Sequence, residues 1–225
     1  MPSALAIALW AGCGLTAGSL IALAVRRREQ QTPRQQLLAQ VILTSGLFAV
    51  LAWRHGSALQ VSAAAGYAAA AVPLAAVDLR TGKLPNWLTL LAHVLTLAGL
   101  LVATLVHLRA SGLLAALVGS IVFAALYGAW YVFLPGHMGG GDLKLSAVSG
   151  AVLGWQGWPT ASHPHLLTAG VQLLAWLAGA LLLIWLLQAA AYLVARAVRR
   201  RLATLALRHG PFLVLGTVTA LVLAP

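Results

Sequence analysis

The sequence is nearly empty of acid. Its 225 residues include three carboxylate side chains, Glu29, Asp78 and Asp142, against fourteen Lys and Arg. Charged residues of both signs make up 8% of a chain that is 61% hydrophobic, with a mean hydropathy of +0.93. A water-soluble fold of this composition would expose large apolar patches, so a soluble globular domain is excluded. Cysteine is reduced to Cys13, which rules out a disulfide framework or a cysteine-built zinc site within one chain. No hydrophilic stretch is long enough for a separate soluble domain. The formal charge of +11 is therefore not the footprint of nucleic-acid binding, which needs a soluble basic face. Strict apolar–polar alternation is missing as well, and with it the signature of a membrane β-barrel.

What is present is hydrocarbon, in runs. Eight apolar stretches, about 3–25, 37–53, 59–77, 87–108, 112–134, 143–157, 166–195 and 210–224, approach the roughly 20 residues that a helix needs to span a bilayer. They predict an all-α integral membrane protein: one polytopic bundle of about eight transmembrane helices over residues 1–225, without a second domain. Basic residues orient it. With the N-terminus outside, the inner loops hold Arg26, Arg27, Arg28, Arg34, Arg80, Lys83, Lys144, Arg196, Arg199, Arg200, Arg201 and Arg208, leaving Arg54 and Arg109 outside. The excess positive charge reads as topology and as contact with anionic membrane lipids. The sixth run is short, but making it re-entrant would move Arg199–Arg201 outside, so it is retained as a span. Three arginines follow the first run and no basic residue precedes it, the reverse of a cleavable signal peptide. "WAGC" at 10–13 has the outline of a lipoprotein cleavage box without the charged n-region, and Cys13 reads as a buried thiol. Pro33, in "RRREQQTPRQQ", predicts a turn between the first two spans.

Two of the three acids stand at helix ends on the predicted inner side. Asp78 closes the third run in "AAVDLRTGKLPNW", and Asp142 opens the sixth after the glycines of "HMGGGDLKL". Each has a basic neighbour, Arg80 or Lys144. A solvated interfacial acid is the ordinary explanation, but ionisable groups at membrane depth are costly and tend to be functional. Two carboxylates are also the minimum apparatus for splitting a peptide bond with water. One, ionised, removes a proton from the water; the other, protonated, donates to the carbonyl oxygen or leaving amine. Gly139–Gly141 could be a plain turn. They could instead allow positive φ and close backbone approach to an extended peptide beside Asp142. A phosphate loop is excluded, since no Gly-Lys-Ser or Gly-Lys-Thr follows.

These segments carry a resemblance. "MGGGDLKL" is similar to the GxGD signature of type IV prepilin peptidases, with Gly139, Gly141 and Asp142 at the fixed positions. "DLRTGKLPNWLT" resembles the family's other aspartate motif, in which Pro85 and Asn86 precede a new helix, and Asn86 is expected to N-cap that helix. The motifs occur in order with two spans between them. "AGSLIALAVRRR" is weakly similar to the family's first-span motif but lacks its asparagine. The resemblance implies a membrane aspartic endopeptidase with Asp78 and Asp142 as the catalytic pair and no cofactor or metal. It would act at the cytoplasmic face of the bacterial plasma membrane, removing short basic leaders from prepilins or pseudopilins. Many members carry a zinc-binding domain with CxxC pairs after the first span, linked to N-methylation. Here that loop is only Arg26–Gln36 and has no cysteine, which puts methyl transfer in doubt and resembles the compact, peptidase-only branch.

The main rival is a proton- or ion-coupled transporter, whose carboxylates would sit within helices near the midplane, often between inverted repeats. Here they lie at helix ends, and no repeat is visible. A serine intramembrane protease is disfavoured because "AVSGAV" around Ser149 lacks a glycine two residues earlier; a small-residue packing seam explains it better. His163 and His165 lack a third metal ligand and read as an exposed loop. His137 precedes the glycines, while His93 and His107 are expected to bond neighbouring helices. Trp53, Trp87, Trp155 and Trp158 read as interfacial anchors. Within the pair, the dipole at a helix start and Lys144 favour Asp142 as the ionised base, leaving Asp78 as the acid.

Overall fold

The computed structural model describes residues 3–29, 32–56, 61–107, 110–134, 138–158, 165–198 and 208–224. Those residues form eight helices and no strand: α1 (Ala4–Arg28), α2 (Arg34–His55), α3 (Val61–Thr81), α4 (Asn86–His107), α5 (Ala110–Phe133), α6 (Gly140–Gly157), α7 (Leu166–Val198) and α8 (His209–Leu223). Six of them, α1 to α5 and α7, are long and apolar enough to cross a membrane. The chain is an all-α, multi-pass membrane protein. α6 has 18 residues and α8 has 15. At 1.5 Å per residue these are roughly 27 and 22 Å long, against a hydrocarbon core of about 30 Å.

Consecutive helices pair as hairpins, and glycine allows each pair to close up. In the closest, α5 with α6, Cβ positions at Gly119 and Gly150 would each collide with the other glycine's carbonyl oxygen, and one at Gly154 would strike the Ala115 carbonyl. α3 and α4 touch in the same way at Gly66 with Leu95 and at Gly99 with Ser62, where Ser62 Oγ donates to the Gly99 carbonyl at 2.7 Å. Small residues at helix contacts are how membrane helices gain van der Waals area where no hydrophobic drive separates protein from lipid. Ser149 belongs to this interior, its hydroxyl 2.8 Å from that of Tyr67 on α3.

Three helices make the inside. α3, whose "AAAGYAAAAVP" run has little bulk, has 72% of its most apolar window buried. It meets α6 and α8, which also touch each other. Large apolar side chains point outward from the surrounding helices, as Leu105 (α4), Phe133 (α5) and Leu167 (α7) do, whereas α6 exposes none. Two expectations are corrected. Cys13 is exposed on α1 rather than buried, because its face of the helix meets no other element. Trp155 is no interfacial anchor: it is 3% exposed and packs on Gly112, where a Cβ would lie 2.5 Å from its ring.

Polar contacts gather at one end of the bundle. There Arg28 lies over the Trp87 ring at 4.9 Å, Arg80 Nη2 donates to Thr32 Oγ1 at 3.3 Å, and Lys144 Nζ donates to Asn86 Oδ1 at 2.9 Å. At the opposite end Arg54 binds the carbonyls of Val222 and Ala224 at the end of α8. The segregation of basic residues expected from the sequence is thus visible in the fold, apart from Arg109 and Arg199–Arg201, which lie outside the described residues.

Candidate active site

Asp78 sits in the last turn of α3, 5% exposed. The helix ends just beyond it because Gly82 takes φ +67, a left-handed conformation open to glycine, and returns its N–H to the Asp78 carbonyl at 2.8 Å. α4 then starts at Asn86, with the Pro85 carbonyl accepting the N–H groups of Leu88 and Thr89. Asn86 is therefore the first helical residue and not the expected N-cap. Its side chain is committed to Lys144 across the gap to α6. His93 bonds within its own helix, its Nδ1 2.9 Å from the Thr89 carbonyl, with no hydrogen bond to another helix among the described residues.

Asp142 occupies the first turn of α6. Its Oδ2 accepts the Gly139 N–H at 3.2 Å, half of a capping box, while Oδ1 is buried with no hydrogen-bond partner. The glycines ahead of it differ in what they tolerate. A Cβ on Gly141 would lie 2.7 Å from Leu84 Cβ, in the loop that follows Asp78. One on Gly139 would make an ordinary contact of 3.4 Å with Asp142 Oδ2, and one on Gly140 would meet nothing within 4 Å. Positive φ, expected here, is absent: Gly139 has φ −82, and among the described glycines only Gly56 and Gly82 are left-handed. The requirement at Gly141 is close approach, which brings the second motif against the first. His137 lies outside the described residues, as does His163.

A third element completes the site, and the sequence reading had not singled it out. α8 begins at His209, and the Gly210 backbone stands between the two acids. A Cβ built on Gly210 would be 2.5 Å from Asp78 Oδ2 and 3.3 Å from Asp142 Oδ1. These two oxygens are therefore separated by no more than the sum of those distances, roughly 6 Å. Of the basic residues expected beside the acids, Arg80 donates to Thr32 Oγ1 and Lys144 to Asn86 Oδ1. The guanidinium that does arrive is that of Arg208, whose Nη1 donates to the Asp78 carbonyl at 2.6 Å and also to that of Leu79. The one legible signal was Gly-Pro in "RHGPF", where Pro211 suits a helix's first turn. Nothing local to it says that the turn packs 130 residues back along the chain.

Asp142 stands ahead of the apolar part of α6 and outside the six long apolar helices. Burial pushes its carboxyl up to about 6; the Asp78 charge adds to this, and the Gly139 N–H partly offsets it.

Two comparisons bear on this geometry. The model of the type IV leader peptidase family matches residues 64–195, a stretch that includes both aspartates. The prepilin leader peptidase/N-methyltransferases of Burkholderia pseudomallei strains 1026b and K96243 are each 39% identical to the chain over 153 residues, covering 63% of it and 46% of the relative. The chain thus spans about half the length of these curated relatives. No solved structure matches it.

Proposed function

The chain belongs to the type IV leader peptidase family, and from that premise we propose that it is a membrane aspartic endopeptidase. Its substrates are type IV prepilins or pseudopilins, from which it removes the basic leader at the cytoplasmic face of the plasma membrane. The observation that carries the reading is the Gly210 contact, which brings Asp78 and Asp142 within reach of a single water. One carboxylate takes a proton from that water as its oxygen attacks the scissile carbonyl. The other gives its proton to the departing amine.

We assign the donor role to Asp142, whose carboxyl burial and the neighbouring Asp78 charge push up to about 6, and the base role to Asp78, which has the Arg208 guanidinium beside it. This reverses the order expected from the helix dipole and Lys144. A dipole contributes about 0.3–1 kcal/mol at an exposed helix end, less than burial opposes here, and Lys144 is engaged elsewhere. The reaction is leader cleavage without methyl transfer. α1 ends at Arg28 and α2 starts at Arg34, so that connection has no room for a zinc module, and the chain has one cysteine.

Co-expression with a prepilin tests the proposal. Asp78→Asn and Asp142→Asn should each abolish maturation while the protein still accumulates in the membrane, because members of such a pair act as a unit. Normal maturation by either variant sinks the aspartic mechanism. Mass spectrometry of the mature pilin should find the leader gone and no added methyl group. Chelators should leave cleavage intact.

A further inference from the structure

Residues 208–210 lie beyond the stretch matched by the family model and make three consecutive contacts with three different partners. Arg208 donates to the carbonyls of Asp78 and Leu79 at the end of α3, where the helix dipole favours a cation. His209 is buried between α5 and α7. Its Nδ1 is 2.6 Å from Gln188 Oε1, and its Nε2 is 2.7 Å from the Tyr127 hydroxyl. Since an amide oxygen only accepts, Nδ1 carries the hydrogen, and Nε2 accepts from Tyr127. The Tyr127 ring packs on the imidazole at 5.3 Å and stacks on Phe123, so this anchor is itself held by α5. Gly210 follows, with its Cα facing both carboxylates and no space for a side chain.

We propose that Arg208, His209 and Gly210 form a clamp that sets the spacing of the two aspartates: Gly210 is the spacer, and Arg208 and His209 are positioning residues that hold it there. The proposal rests on the dyad reading above and extends it to α8. Its physical content is steric. A Cβ at Gly210 would stand 2.5 Å from Asp78 Oδ2, where an ordinary contact begins near 3.4 Å, so the carboxylate would have to retreat by roughly 1 Å. Arg208 opposes that retreat by tying the end of α3 to the start of α8. His209 prevents α8 from yielding instead, since moving it breaks two buried hydrogen bonds.

The test is steady-state cleavage of a purified prepilin by the purified full-length chain in detergent, with kcat, KM and the pH profile measured per folded enzyme. Gly210→Ala should lower kcat by about 100-fold, the scale of a 1 Å misplacement, with KM unchanged and the pH profile displaced because carboxylate coupling depends on spacing. Gly216→Ala, on the same helix but against Ile184, should lower the melting temperature and leave the pH profile where it was. Should Gly210→Ala fail to accumulate, His209→Asn decides, since the shorter asparagine amide can replace Nδ1 toward Gln188 but ends short of Tyr127. It should lower kcat at constant KM. Wild-type kcat and an unmoved profile in Gly210→Ala, or wild-type kcat in His209→Asn, overturn the clamp. Activity in Asp78→Asn would instead remove the dyad reading itself, whatever Gly210→Ala does.

Discussion

Asp142 uses its two oxygens differently. Oδ2 closes the first turn of α6 on the Gly139 N–H, while Oδ1, buried and unpaired, faces the Asp78 side. Proton and fold are therefore coupled in one side chain. Its carboxyl, pushed up to about 6 by burial first and by Asp78 second, keeps its proton well above the ordinary aspartate range. Since the folded value is raised, the protonated donor is present below that pH and is lost as pH rises through it. The alkaline limb of kcat against pH is expected near 6 for this reason. A rate that stays flat to pH 8 would contradict the donor assignment and leave the dyad standing. The glycines divide on similar grounds. Gly141→Val should cripple cleavage because Leu84 is in the way, Gly140→Ala should be neutral, and Gly139→Ala should cost little. Equal tolerance at all three positions in the maturation assay would return them to a plain turn.

Between helices, the working units are hairpins closed on glycine. α5 and α6 meet so tightly at Gly119 and Gly150 that each backbone lies against the other's carbonyl, and this seam sets the position of α6, which carries Asp142 at its start. Overpacking there should act on stability first. Gly150→Val is expected to lower stability by about 1–3 kcal/mol or to prevent folding, read as a drop in melting temperature in detergent. An unchanged melting temperature would mean that the seam is looser than these contacts require. By contrast, Gly46→Ala and Gly179→Ala, whose Cβ positions meet nothing within 4 Å, should be silent in the same measurement. The pattern of small residues in "AVSGAV" was legible as a packing seam, because close backbone approach needs small side chains wherever it occurs. Which helix forms the other side was not, since any Gly-bearing span would serve.

The whole molecule is an outer ring of apolar helices around α3, α6 and α8, and those three inner helices supply Asp78, Asp142 and Gly210. Both aspartates share the end of the bundle that also gathers Arg28, Arg80, Lys144 and Arg208. From the positive-inside bias we propose that this end faces the cytoplasm. In a Cys13→Ser background, Lys83→Cys should resist a membrane-impermeant maleimide applied to right-side-out vesicles, and Ser3→Cys should react. The opposite pattern would invert the topology. Sequence alone determined the membrane class, the helical architecture and the family resemblance, along with the two aspartate motifs. Hydrocarbon thickness dictates run length, and a scarce acid in an apolar chain is conspicuous wherever it stands. Partner choice was decided only by the tertiary structure. Lys144 donates to Asn86, Arg80 goes to Thr32, and Arg208 and Gly210 at the start of α8 meet the two aspartates. Such pairings depend on which helix ends meet in three dimensions, and spacing along the chain carries no record of a neighbour 130 residues away.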